Sequence, residues 1–297
     1  REDGLVMDDG TTARMSDNHF IMTTTTVNAE SVYRHLEFCH QCLWPEMDVQ
    51  LISTTDAWSQ IAIAGPNSRK VISKIIDPQF DVSNENFPFM ACKEISICGG
   101  FRARLFRISF SGELAYEISI PSQYASSLVS YLMEVGKEEN IAPYGTEALG
   151  VMRIEKGHAA GPELNGTVTA LNLNMGKMVS LTKDSIGMIL SKRIGLNLED
   201  GPRLVGLKPI KPENQIISGS HIFNLKDKLN AENDLGYITS SCYSPTLNSY
   251  IALGFLQDGN NRYGDEIKVS NPLLNKEVFA QVCNPIFVDP NGDRLRG

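Results

Sequence analysis

The residues of this sequence best suited to chemistry are carboxylates in unusual company. Asp8 and Asp9 are adjacent and follow the apolar run Leu5-Val6-Met7. If that run is a strand, neighbouring side chains point to opposite faces, so only one of the two can line a pocket; otherwise the pair is a solvated turn. A positioned carboxylate can take a proton from a reacting amine or offset a cationic adduct. Glu117 stands between Tyr116 and Ile118. Alternation sets it opposite both, facing either solvent or a pocket. Thr23, Thr24 and Thr25, within a run of four threonines, offer hydroxyls and backbone groups, or simply make a good strand. Tyr144 can stack on a flat ligand or pack at a helix start. Arg153 and Glu155, two apart near a helix end, cannot share a face and read as members of a structural ion-pair network. Cys39-His40-Gln41-Cys42 forms a Cys-x-x-Cys, but a structural zinc site needs two further ligands, and no second pair has matching spacing.

These residues need elements to position them. Residues 1–4 read as a hairpin turn and 5–7 as the strand leaving it; a strand with no earlier partner predicts a piece of a longer protein. Strands are predicted at 19–26, 48–54 and 58–64, with helices over 29–42 and 68–76. Strands at 93–97 and 101–109 flank the Gly99-Gly100 turn, and another follows at 115–120. A helix runs from Ser122 to about Val135. Another begins at Tyr144 and ends near Lys156-Gly157. The β-α-β-β-β-α run is a compact α+β unit. From Arg203 six short strands follow, at 205–209, 220–224, 236–240, 249–256, 265–270 and 278–288, which predicts a small barrel or jelly roll.

Composition narrows the function classes. The chain has 297 residues, 42% hydrophobic and 21% charged, ordinary for a soluble protein of more than one domain. A net charge of −8 repels phosphate backbones and argues against nucleic acid, while a few local cations still permit an anionic small ligand. No apolar run approaches the length of a membrane span, and no signal peptide precedes Arg1. The six cysteines are scattered, and read as reduced thiols of a cytoplasmic protein. No Gly-x-Gly-x-x-Gly follows a strand, so no dinucleotide fingerprint is present.

Several segments, in order along the chain, resemble the glycine-cleavage T-protein (aminomethyltransferase) family. They are Gly4-Leu5-Val6-Met7-Asp8-Asp9, Ile61-Ala62-Ile63-Ala64-Gly65-Pro66, Phe110-Ser111-Gly112-Glu113 with Tyr116-Glu117-Ile118, Arg153-Ile154-Glu155-Lys156-Gly157, and Gly236-Tyr237-Ile238-Thr239-Ser240 with Ser244-Pro245-Thr246-Leu247 and Ile251-Ala252-Leu253-Gly254. Within the family, Asp9-Gly10-Thr11-Thr12-Ala13-Arg14, the threonine run, Trp44-Pro45-Glu46, Tyr144-Gly145-Thr146-Glu147-Ala148 and the ending Phe287-Val288-Asp289-Pro290-Asn291-Gly292 resemble the α subunits of multisubunit sarcosine oxidases. Dimethylglycine oxidases and dehydrogenases carry the same module.

The resemblance implies an α+β fold in three parts forming a disc: a β-rich part over 1–55 and 143–200, a ferredoxin-like α+β part over 56–142, and a C-terminal jelly roll or barrel over 201–297. It implies tetrahydrofolate in a central opening, Asp9 as the catalytic carboxylate, Glu117 accepting from the pterin's amide-amine edge, Thr23 to Thr25 beneath the ring and Tyr144 beside it. The one-carbon donor would be an iminium derived from a methylated amine, made on a flavin held, like any NAD, in other parts of the complex by flavin-bearing partner subunits. The chain departs from the family in two places. Gly161-Pro162-Glu163-Leu164-Asn165 replaces a Gly-Asn-Asp-like loop, which puts the role of that loop's acid in doubt. Leu149 replaces an Arg, which puts contacts with a lipoyl carrier in doubt. Lys156-Gly157-His158 also lacks the Lys-Gly-Cys of a folate-dependent iron–sulfur-assembly relative. The other readings are a free-standing aminomethyltransferase, a dimethylglycine oxidase or dehydrogenase folate domain, and a folate-binding scaffold without catalysis.

Overall fold

The computed structural model describes residues 1–180 and 182–297. In chain order the elements are β1 (Thr12–Ser16), β2 (His19–Met22), α1 (Ala29–Phe38), β3 (Trp58–Ala64), α2 (Ser68–Ile75), β4 (Cys92–Ile97), β5 (Phe101–Phe106), β6 (Ala115–Pro121), α3 (Ala125–Val135) and α4 (Thr146–Glu155). There follow α5 (Met188–Ser191), β7 (Pro202–Pro209), β8 (His221–Asn224), β9 (Gly236–Ser244), β10 (Ser249–Gln257), β11 (Glu266–Asn271), β12 (Lys276–Cys283) and α6 (Asp293–Arg296). The chain divides into two compact units, one of residues 1–9 with 150–290, the other of 10–149 with 291–297.

In the second of these, β3-β6-β5-β4 form an antiparallel sheet. Strand alternation gives the sheet one apolar face. Ile63 on β3, Tyr116 and Ile118 on β6, Leu105 on β5 and Ile95 on β4 lie there, and α2 and α3 cover them with Val71, Ile72, Ile75, Leu128 and Leu132. Ile72, Leu105 and Ile118 are fully buried, each such side chain contributing ~1.5–3 kcal/mol. The opposite face carries Gln60, Ser119, Arg104 and Glu94 in one cross-strand row, and Ala62, Glu117, Phe106 and Cys92 in the next.

In the other unit six antiparallel strands close into a barrel in the order β10-β7-β12-β11-β8-β9. Along β12 the buried Val278, Ala280 and Val282 alternate with exposed Phe279 and Gln281, and closure leaves no unpaired edge. The six predicted strands are all present, the last ending at Cys283 rather than 288.

Several local expectations are corrected. Residues 1–4 do turn, with Gly4 N–H donating to Arg1 O, but 5–7 are not a strand. Val6 N–H reaches Val168 O without a ladder, and Asp3 Oδ1 draws the chain back by accepting from Leu5 N–H. Gly4, at φ 87°, packs where a Cβ would meet the Ser191 backbone at 2.7 Å. Residues 48–54 carry no strand either; the segment is largely exposed, with the Tyr33 hydroxyl donating to Leu51 O at 3.2 Å. β2 stops at Met22, so Thr23 to Thr25 lie in the loop after it. The predicted helix over 29–42 is α1 followed by a wider turn over Cys39–Leu43. Helix α4 begins at Thr146, two residues after Tyr144. Among the described residues no helix is long and apolar enough to cross a membrane.

Candidate functional site

Glu117 points away from the helix-covered core. Its neighbours Tyr116 and Ile118 are fully buried on the apolar side, which forces it to the polar face. It is half-buried there, and burial pushes its carboxyl above the ordinary range, opposed by a hydrogen bond from the Gln60 side-chain amide. Gln60 is itself held, because Ser119 Oγ donates to its Oε1 at 3.2 Å. Tyr144 lies near enough that burial first, and then the charge of Glu117, raise its phenol. The structure thus brings two of the expected residues, Glu117 and Tyr144, together in one unit.

Further along the same face, the Arg104 guanidinium stacks 3.7 Å from the Trp58 ring centre. Glu94 Oε1 accepts from Arg102 at 2.7 Å and lies 3.8 Å from Arg104 Nε. Arg104 Nε is buried without a hydrogen-bond partner among the described residues, and desolvation lowers the guanidinium's pKa. The sequence reading missed Gln60, Ser119, Trp58 and Arg104. The available signal was alternation: Trp58, Gln60 and Ala62 share one face of β3, and Arg102, Arg104 and Phe106 share one face of β5.

The threonine loop closes on residues 10 and 11. Thr23 N–H donates to Thr11 O at 2.8 Å, and Thr23 Oγ1 accepts from Thr11 N–H at 3.1 Å. Thr24 Oγ1 donates to Thr25 O at 3.0 Å. The approach requires glycine at position 10, where a Cβ would stand 2.0 Å from Thr23 O. Thr23 therefore uses its hydroxyl within the protein, and its best-defined role is to hold Thr11 just beyond the β1–β2 ladder. Asp9 ends the first unit and is exposed, while Asp8 is half-buried. Because no strand runs through 5–9, alternation does not distinguish the two carboxylates.

Arg153 and Glu155 belong to separate buried networks. Glu163, fully buried, accepts from Arg153 Nη1 at 2.8 Å, Ala160 N–H at 3.0 Å, Ser240 Oγ at 2.7 Å and the Thr239 hydroxyl. Arg153 Nη2 also donates to Ser240 Oγ at 2.7 Å. Glu155 accepts from the Ser244 hydroxyl, and from Thr246 Oγ1 at 3.1 Å. Lys156 Nζ meets Asp289 Oδ2 at 2.9 Å. The acid of the loop where this chain departs from the family pattern is thus the hub that fastens α4 to β9. Cys39 Sγ lies 3.8 Å from His35 Nε2; all six cysteines are free thiols, and among the described residues no His, Cys, Asp and Glu cluster fits a metal.

Comparison with known proteins agrees with this architecture. Residues 1–183 match the GCVT N-terminal domain, and residues 203–289 match the glycine cleavage T-protein C-terminal barrel domain. The sarcosine oxidase subunit alpha of Rhizobium meliloti (strain 1021) is 50% identical over 297 residues, spanning 99% of this chain and 30% of the relative. That of Corynebacterium sp. (strain U-96) is 36% identical over 301 residues, spanning 100% of this chain and 31% of the relative. An aminomethyltransferase of Desulfitobacterium hafniense (strain Y51) is 28% identical over 292 residues, spanning 97% of this chain and 74% of the relative. A solved structure, the glycine cleavage system aminomethyltransferase T of Bartonella henselae, shares the fold at a TM-score of 0.79 and 21% identity, covering 97% of this chain and 74% of that one. The chain spans about 30% of the length of the sarcosine oxidase subunits it matches. With the N-terminal domain match running through both sheet and threonine loop, and the barrel match spanning all six closing strands, the chain belongs to the glycine-cleavage T-protein family.

Proposed function

We propose that this chain is the tetrahydrofolate-dependent one-carbon-transfer module of a sarcosine-oxidase-type α subunit. Half identity across the chain to a sarcosine oxidase α subunit supports the subfamily. The observation that carries the ligand is Glu117: a half-buried carboxylate on the polar sheet face, beside a tyrosine and held by an amide. A pterin presents adjacent amide and amine N–H donors on one flat edge. A carboxylate with an aromatic neighbour fits that edge, accepting two hydrogen bonds in one plane.

Tetrahydrofolate supplies a secondary amine that captures a carbon at the formaldehyde oxidation level. Glu117 binds the pterin edge and sets its orientation. Tyr144 packs against the ring, and the loop carrying Thr23 to Thr25 offers backbone groups beneath it. Asp9 takes the proton released from the reacting amine, or holds its positive charge. The carbon arrives as an iminium derived from a methylated amine and made on a flavin, which we assign, like any NAD, to other parts of the assembly, with flavin-bearing subunits as partners. A cytoplasmic setting and a three-part division (1–55 with 143–200, 56–142, 201–297) belong to the same proposal. The aminomethyltransferase reading rests on the relatives of that name, of which this chain covers 74%; the lower identity and Leu149 weigh against it.

The test is Glu117→Gln in the full-length protein. Gln turns an acceptor into a donor against a donor edge, so tetrahydrofolate affinity at pH 7 by calorimetry falls ~10- to 100-fold, the worth of a hydrogen bond to a charged group. Unchanged affinity overturns the assignment of the pterin to this face.

A further inference from the structure

We infer that Gln60, anchored by Ser119, is a positioning residue that fixes the Glu117 carboxylate for its ligand. The inference rests on Glu117 being the pterin acceptor, as proposed above. The β3–β6 register sets Gln60 opposite Ser119 and Ala62 opposite Glu117. Gln60 therefore reaches Glu117 diagonally, across an alanine too small to block it. Ser119, buried on the same face of β6 and two residues on from Glu117, donates its hydroxyl proton to Gln60 Oε1 at 3.2 Å. That bond chooses the amide's orientation. With Oε1 engaged, the NH2 end faces Glu117 and donates to Oε2. The flipped amide would set one acceptor against another and leave the serine proton without its partner.

The arrangement has a geometric consequence and an electrostatic one. One carboxylate oxygen is pinned, so the carboxyl plane is set before a ligand arrives, and Oε1 with the second lone pair of Oε2 remain to accept from it. A preorganised acceptor loses less rotamer entropy on binding. The Gln60 amide also favours the charged form of a carboxyl whose burial favours the neutral one. The titratable and charged groups on this face are Arg102 and Arg104 on β5 and Glu94 and Cys92 on β4, and Tyr144, before α4, feels the charge of Glu117. Among the described residues, the Gln60 amide is what lowers the Glu117 pKa, against the larger effect of burial.

The experiment measures tetrahydrofolate affinity against pH in the full-length protein for wild type, Gln60→Leu, Ser119→Ala, Glu117→Gln and the Gln60→Leu/Glu117→Gln pair. Gln60 is exposed, so leucine there does not empty a core site. We expect Gln60→Leu to weaken binding at pH 7 by ~10-fold, the lower end for a charge-assisted bond. Affinity should be recovered in part at higher pH, with its acid-side decline moved upward. Ser119→Ala, which frees the amide to turn, should show the same change at smaller amplitude. In the Glu117→Gln background, Gln60→Leu should add nothing. A Gln60→Leu effect equal at every pH, or one that persists in the Glu117→Gln background, overturns the inference, as does no effect at all. If Glu117→Gln itself leaves affinity and pH profile unchanged, it is the ligand reading of Glu117 that falls.

Discussion

Removing the carboxylate at Glu163 tests whether α4 and the barrel are held by a buried charge. In Glu163→Ala, the Arg153 guanidinium stays in place with its counter-charge gone; the side chains of this pair are 10% and 0% exposed. Removing one partner of a buried ion pair costs ~3–5 kcal/mol. The N–H of Ala160 and the hydroxyls of Thr239 and Ser240 also lose their acceptor, although Thr239 keeps a second bond to Leu253 O at 3.1 Å. With a urea dependence of ~1–3 kcal/mol per molar, the midpoint should fall by more than ~1 M. Trp44 and Trp58 both lie outside this unit, so tryptophan emission reports elsewhere. The appropriate assay is a urea titration by circular dichroism with hydrogen exchange followed by mass spectrometry, in which peptides over 236–257 lose protection and those over 92–121 change less. Glu163→Leu with Arg153→Met, which removes both charges, should recover much of the loss. A Glu163→Ala midpoint within error of wild type, or a double variant worse than the single one, refutes the reasoning.

Other outcomes follow from the same geometry. Asp9→Asn in the assembled enzyme should slow formation of 5,10-methylenetetrahydrofolate by ~10²- to 10⁴-fold while leaving amine oxidation intact, so that formaldehyde released by hydrolysis of the untrapped iminium replaces the folate product; equal yields of that product would count against Asp9 as the base. Gly10→Ala should force the Thr23 carbonyl aside, costing ~1–3 kcal/mol, seen as a lower melting temperature. Burial pushes the Cys242 and Cys283 thiols up to about 11, leaving on the order of one thiolate in a thousand at pH 8. Iodoacetamide should therefore label exposed Cys42 long before either, as peptide mapping would show. Because burial raises the Glu117 carboxyl and the ligand needs its charged form, folate affinity should fall as pH drops through that elevated pKa, and the fall should be absent in Glu117→Gln.

Patterns of short range were legible from sequence. Short strand-forming runs bounded by Gly, Pro and Asn turns located the strands of the sheet and all six barrel strands. Family motifs picked out Glu117, and alternation with Tyr116 and Ile118 set it on the other side of its strand. Composition could not tell which groups face that residue. The register of β3 on β6 did, by bringing the Gln60 side chain to it across Ala62. Strand expectations failed at 5–7 and 48–54, where local propensity was adequate but no partner strand completes a ladder, and at 23–26, where Thr23 turns back to bond Thr11. Arg153 read correctly as part of an ion-pair network, but its partner lies ten residues on in a loop with no regular element, and the hydroxyls completing the cluster come from β9. A sequence carries propensities and periods within one element. Which buried charge meets which, and which amide faces which carboxylate, is fixed only when strands distant in the chain come into register.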